Sequence, residues 1–316
     1  MAGNSTKAIV AAFFANAGIA VAKFVGFIIT GSSSMLAESV HSVADSGNQG
    51  LLLLGGRLSK RAPSAAHPFG YGRERYFWSF VVALVLFSLG GAFATFEGIE
   101  KIRHPHELES LGVAVGILVL GVVLEGFSLR TAVVEARPLR GNATWWQYVR
   151  RSRNPELPVV LLEDCGALIG LFLALGGVLL SDITGDPVWD GIGTWCIGLL
   201  LGVIAVVLAI EMKSLLIGEG ATEVDRGAII AAIEATPGAR SLIHMRTQHI
   251  GPDDLLVAAK VEFEPDLDTA GLATSVDAAE LAIRAQVPTA TRIYLEPDLR
   301  RDQGDTEPPD PDTTIT

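Results

Sequence analysis

The stretch LPVVLLEDCGALIGLFLALGGVLLS, Leu157–Ser181, decides the fold. Its 25 residues carry two charges, Glu163 and Asp164, side by side in an otherwise apolar run. A helix rises about 1.5 Å per residue, so about 20 such residues cross the hydrocarbon of a bilayer. Comparable runs lie near residues 8–30, 33–56, 76–100, 111–129 and 188–210, which makes six expected spans. The first is longer than the roughly 7–15 residues of a signal-peptide core and no cleavage pattern follows it, so it is expected to remain as a span.

The whole chain of 316 residues shares this bias, with 49% hydrophobic and 19% charged residues, 34 glycines and a mean hydropathy of +0.41. Soluble domains carry about 25% charge, and Gly is commoner in membrane helices than in soluble ones. A net charge of −11 leaves no overall basic surface to neutralise phosphates, which excludes nucleic acid as the main partner. Cys165 and Cys196 sit in apolar runs without CxxC spacing and provide neither a disulfide framework nor a metal clip.

Lys and Arg collect on alternate loops. One side holds Lys7; Arg57, Lys60, Arg61, Arg73 and Arg75; Arg130, Arg137, Arg140, Arg150, Arg151 and Arg153; and Lys213. The other holds Lys101 and Arg103. The expectation is an integral, multi-pass membrane protein with both termini cytoplasmic. With no transit peptide visible and Ala, Val and Gly abundant, it is placed in a bacterial inner membrane. Trp145, Trp146 and Tyr148 read as an aromatic anchor at the interface, and Lys23 as a residue that snorkels or pairs with an acid.

Residues 1–212 thus form the expected transmembrane domain, and after Lys213 the pattern changes. Thr222–Ala235 reads as an amphipathic helix with Val224, Ile229, Ile230 and Ile233 on its apolar side, ended by Pro237-Gly238. Ser241–Ile250 and Leu255–Phe263 read as strands around the turn Gly251–Asp254, Leu272–Ala285 as a helix and Thr291–Leu295 as a strand. The expected fold class is an all-α six-helix transmembrane domain plus a small α+β domain, αββαβ and ferredoxin-like, over 213–300. The Asp-, Pro- and Thr-rich segment 301–316 is expected to be a disordered acidic tail.

Ionisable residues within the spans carry the functional signal. A carboxylate at the bilayer centre costs roughly 2.5–3.5 kcal/mol, so Glu38, Asp45, Glu125, Glu163 and Asp164 together cost about 12 kcal/mol or more, as much as a whole domain's stability. They must face one another, water or an ion. His41 and Asp45 lie one turn apart, about 6 Å along one helix face, with Glu38 on the same stripe. An imidazole nitrogen and a hard carboxylate oxygen suit one divalent cation, Zn²⁺ first and Mn²⁺, Fe²⁺ or Co²⁺ tolerably. A buried His–Asp hydrogen bond that fixes packing is the plain alternative. Glu163 and Asp164 point about 100° apart, so one ion does not easily use both. If Asp164 joins His41 and Asp45, a fourth position is left for water or Glu163, which favours exchange. Glu125 stands as a proton relay or a group orienting a ligand, Glu38 as support to His41, and Asn48 and Gln49 as hydrogen-bond donors between helices.

GSSSMLAESVHSVADSGNQG (Gly31–Gly50) resembles the second-span signature of the cation diffusion facilitator family. The resemblance continues through HPFGYGR (His67–Arg73), LEDCGALIG (Leu162–Gly170) and TGDPVWD (Thr184–Asp190), covers roughly residues 5–300, and is strongest to the branch that contains the animal mitochondrial zinc transporter. It implies a homodimeric exporter of divalent metal in the bilayer. The ion sits between spans two and five, with His41, Asp45 and Asp164 at three of the family's four ligand positions and Val160 at the fourth. It also implies that two accessory sites are lost: His67 faces Tyr71 where a second His stands in some members, and Ile243, Lys260 and Tyr294 occupy the C-terminal ligand positions. His244 and His249 read as ordinary strand residues. The expected function is proton-coupled export of Zn²⁺, with no prosthetic group and no enzymatic activity. The rivals are a membrane metal sensor or interaction protein that does not transport, and a transporter preferring Mn²⁺, Fe²⁺ or Co²⁺; an intramembrane metalloprotease lacks any HExxH pattern.

Overall fold

The computed structural model describes residues 2–31, 33–105 and 111–300. The chain divides into two compact units: Met1–Arg61 with Glu74–Lys213, and Ala62–Arg73 with the chain from Ser214 onward. The tail expected to be disordered, 301–316, lies outside the described residues, as does the side chain of Glu38.

The first unit is helical. It contains α1 (Ala2–Thr30), α2 (Ser33–Leu58), α3 (Glu74–Val85), a π-helical segment Leu86–Ala92, α4 (Phe93–Arg103), α5 (Leu111–Arg140), the short α6 (Trp145–Arg151), α7 (Glu156–Thr184) and α8 (Val188–Ile217). α3, the π segment and α4 run on as one rod, Glu74–Arg103. Among the described residues four rods are long and apolar enough to cross a membrane: Glu74–Arg103, Leu111–Arg140, Glu156–Thr184 and Val188–Ile217. α1 contributes the shorter apolar stretch Asn16–Ile29, and the 26 residues of α2 are diluted by polar groups.

These rods are apolar on the outside. Phe96, Phe127, Ile183 and Val203 are 67%, 68%, 77% and 64% exposed. Leaving such side chains in water would forgo about 1.5–3 kcal/mol each, so a lipid surround is what makes this surface stable. Between rods, small residues replace hydrophobic driving force with close packing. A side chain at Gly177 of α7 would put its Cβ 2.9 Å from the Trp189 carbonyl oxygen of α8 and 3.4 Å from Gly193 Cα.

Around α6 the chain is tied by specific contacts. Thr144 and Gln147 form a reciprocal capping box, and Arg140 lies 4.7 Å over the Trp145 ring. The expected aromatic anchor is divided between two roles. Trp145 and Trp146 face outward, but Tyr148 packs with Ala132, Ala136 and Leu161, and burial holds its phenol above the usual pKa. Arg75 Nε donates to Glu156 Oε1 at 2.8 Å, and Tyr76 Oη to the Arg153 carbonyl at 3.1 Å, joining the starts of α3 and α7.

The second unit follows the expected αββαβ order: α9 (Glu223–Glu234), β1 (Ala239–Gly251), β2 (Asp254–Phe263), α10 (Thr269–Gln286) and β3 (Arg292–Pro297). The sheet order is β1-β2-β3, antiparallel then parallel, as a hairpin followed by a βαβ crossover requires. Leu255, Val257, Ala259, Val261 and Phe263 alternate into the core against Ile229, Ile233 and Ile283. Thr222 and Asp268 cap the two helices. Val224 is not on the apolar side of α9: it is 81% exposed. Five residues before Ile229 it stands about 140° around the helix, so the stripe passes it by. The loop Ala62–Arg73, counted with the transmembrane segment in the sequence, packs in this unit, where a Cβ at Gly72 would lie 2.7 Å from the Ile250 carbonyl oxygen.

Gly176 and Gly177 give a matched test, because a Cβ at Gly176 meets nothing within 4 Å. Gly176→Ala is expected to leave the thermal unfolding midpoint of the purified protein unchanged or higher, by about 0.5–1 kcal/mol of helix propensity. Gly177→Ala is expected to lower it. Equal midpoints would show that the α7–α8 contact is loose.

Candidate metal site

Why α2 is helical despite its polarity is visible in its stripe. His41, Asp45 and Asn48, at i, i+4 and i+7, fall on one face and turn inward, with exposures of 1%, 6% and 0%. His41 Nε2 lies 3.5 Å from Asp45 Oδ2, so the expected pair does form. Among the described residues Asp45 Oδ1 accepts no hydrogen bond, nor do Asn48 Oδ1 and Gln49 Oε1. Three buried oxygens thus retain acceptor capacity on one helix face.

α7 packs on both α2 and α5, and its acidic pair is divided between them. Asn48 Nδ2 donates to Glu163 Oε1 at 2.5 Å, and Ser128 Oγ of α5 donates to Asp164 Oδ2 at 2.9 Å. Val160, one turn before Asp164, packs against the buried cluster of Ala132, Ala136, Tyr148 and Leu161. The roughly 100° between neighbouring residues therefore sends Glu163 toward α2 and Asp164 toward α5. Both are buried, at 5% and 6% exposure, and Glu125 of α5 is buried at 2%. The charges of Glu163, Glu125, Lys23 and Asp164 all act on Asp45. The expected residues thus share one electrostatic neighbourhood. Among the described residues, however, no three His, Cys, Asp or Glu side chains converge into a ready metal cage.

Two partners were not singled out from the sequence. Ser128 lies three residues after Glu125 on the same face of α5, a spacing that marks it as a neighbour of whatever Glu125 faces. Ser42 receives a 2.9 Å hydrogen bond from Lys23 Nζ. Lys23 does not snorkel: it is 0% exposed, held inside the helices.

At the accessory positions the contacts are with neighbouring side chains and backbone. The His67 and Tyr71 rings lie 4.6 Å apart and Ser64 Oγ is 3.2 Å from Tyr71 Oη. His244 pairs across the strands with Lys260, whose Nζ is 3.4 Å from Asp298 Oδ2, and His249 is buried with Nδ1 3.4 Å from the Gly251 carbonyl oxygen.

Residues 9–217 match the cation efflux transmembrane domain family. Among curated relatives, the proton-coupled zinc antiporter SLC30A9, mitochondrial, of Mus musculus is 34% identical over 244 residues, 77% of this chain and 43% of that protein. Metal tolerance protein C4 of Arabidopsis thaliana is 30% identical over 82% of this chain and 57% of its own length. Magnetosome protein MamB of Paramagnetospirillum magneticum is 25% identical over 90% of both. The chain spans less than half the length of the mouse relative.

The split of the acidic pair yields a test on metal affinity, read by calorimetry with Zn²⁺ on the purified protein. Asp164→Asn is expected to weaken binding by about 100-fold or more, and Glu163→Gln by about tenfold, as for a group that supports a ligand. The opposite order would make the α2-facing Glu163 the ligand.

Proposed function

The chain belongs to the cation efflux family, and on that premise we propose that it is a homodimeric, proton-coupled secondary transporter that exports divalent metal, Zn²⁺ first, from the cytoplasm. The observation that carries this reading is the gathering of Asp45, Glu125, Glu163 and Asp164, with His41, inside helices whose outer faces are apolar. Such a group is expensive unless a cation answers it, and exchangeable cations are the ones a transporter moves. His41 and Asp45 of α2 and Asp164 of α7 are the proposed ligands. Glu163 supports them from the α2 side and Glu125 relays protons.

The chemistry follows from charge balance. A dication reaching the carboxylates displaces protons, because a ligand oxygen or nitrogen does not hold both. When the site turns to the far side, protons return and the metal leaves. Three protein ligands and an open fourth position permit that exchange, whereas a closed tetrahedral site would retain the ion. Val160, packed against the cluster of Ala132, Ala136, Tyr148 and Leu161, leaves that position to water or Glu163. The hydrogen bonds from Asn48 and Ser128 hold the two acids in place until the metal arrives.

Six crossings with cytoplasmic termini are supported by connectivity. Among the described residues the four long apolar rods all follow the Ala62–Arg73 loop and the last ends at Ile217, just after the chain rejoins that loop's unit at Ser214. An even number of crossings returns the chain to the side it left. That side carries the Lys and Arg of the Arg57–Arg75 loop, which is the cytoplasmic signature. A bacterial inner membrane is the proposed host.

Purified protein in sealed vesicles is expected to take up Zn²⁺ when a pH gradient is imposed and to slow when the gradient is collapsed, with Mn²⁺, Fe²⁺ and Co²⁺ measured beside it. Asp45→Asn keeps the shape and loses the charge, so it is expected to insert, fold and transport nothing. Binding without uptake by the unmutated protein would instead identify a sensor.

A further inference from the structure

Lys23 is a buried charged residue to which the transport scheme gives no task. A lysine in a span ordinarily extends its stem and keeps its ammonium in the headgroup region. Here the side chain is 0% exposed, and two features build its place. Nζ donates to Ser42 Oγ at 2.9 Å, on the residue next to His41. On α5, a Cβ at Gly121 would lie 3.6 Å from Lys23 Cε, so the lack of a side chain there accommodates the stem. Gly121 precedes Glu125 by one turn. The ammonium is therefore held among α1, α2 and α5, and its charge reaches Asp45, where it opposes the charges of Glu163, Glu125 and Asp164.

Resting on the transport reading, we propose that Lys23 is a tethered cation that sets the metal affinity of the carboxylate cluster: it partly neutralises the empty site and opposes the bound dication. Ser42 lies about 100° around α2 from His41, so the ammonium approaches from the flank of the His41–Asp45 face and does not plug the ligand position. Its effect is carried by field through a low-dielectric interior, where a unit charge counts for far more than in water. Among the described residues the cluster holds four carboxylates, Asp45, Glu125, Glu163 and Asp164, beside the Lys23 ammonium. With Lys23 present, an emptied site keeps part of its compensation and the metal leaves more readily. Without it, the same carboxylates hold the dication more tightly and release becomes slow. Lys23 is a positioning residue in this sense; it touches no cargo.

The test uses the full-length protein in detergent and vesicles, with Zn²⁺ as the probe. Lys23→Met preserves the unbranched stem and removes the charge together with the hydrogen bond to Ser42; Lys23→Arg keeps the charge and donors. Calorimetry is expected to show Lys23→Met binding Zn²⁺ at least about tenfold more tightly than the unmutated protein, with slower uptake at saturating metal, and Lys23→Arg returning both toward the starting values. A structural role alone predicts the reverse for binding, since a disturbed site loses affinity. Unchanged or weaker binding by a folded, monodisperse Lys23→Met, beside measurable binding by the unmutated protein, overturns the proposal. Absence of Zn²⁺ binding by the unmutated protein overturns the transport reading and this one with it.

Discussion

An ionised side chain inside an apolar helix has no water to answer its charge, and the helical unit is organised around that constraint. Three of the expensive groups are met by a partner from another helix: Asp164 by Ser128 of α5, Glu163 by Asn48 of α2, and Lys23 of α1 by Ser42 of α2. These bonds cross four helices, so the polar groups that threaten insertion also fix which helix lies beside which. Each such bond is worth only about 0.6–2 kcal/mol, less than the roughly 2.5–3.5 kcal/mol that one buried charge costs. Hydrogen bonds alone therefore do not balance four carboxylates. The remainder falls to protons and cations, because carboxylates brought together repel one another and raise the cost further.

Close packing supplies the rest of the scaffold. Where Gly177 lets α7 approach α8, backbone meets backbone without side chains between, and the apolar side chains are turned to lipid. The second unit obeys the opposite rule. Its alternating Leu255–Phe263 strand and the Ile229–Ile233 face of α9 bury their apolar groups inward, as a domain in water must. One sequence thus contains two solvents' worth of patterning, and the hydropathy change near Lys213 marks where one gives way to the other.

That contrast explains what was legible in advance. Long apolar runs and period-two alternation are local, so the rods, the hairpin and the αββαβ order were readable from residue spacing. The His41–Asp45 pair was readable because both members sit on one helix, one turn apart. Contacts between helices were not. Nothing local tells which of two adjacent acids turns to α2, or that Ser128 is the group Asp164 finds, because those depend on how α5 and α7 are rotated against each other. Of the two readings open for Lys23, snorkelling or pairing with an acid, the first fails because Gly121 leaves room for the stem and the hydroxyl of Ser42 accepts from the ammonium inside the helices. Val224 failed more simply, since an apolar residue near a helix start was counted with a stripe it stands well around the helix from.

The central claim is that the cargo is held by the His41 and carboxylate cluster. Zinc K-edge X-ray absorption on the metal-loaded protein reads that first shell directly. The account predicts nitrogen and oxygen neighbours at about 2.0–2.2 Å, with the imidazole scattering of a single histidine. Sulfur at about 2.3 Å would place the ion on Cys165 or Cys196, and a spectrum showing several histidines would place it outside the membrane helices. Either would contradict the account.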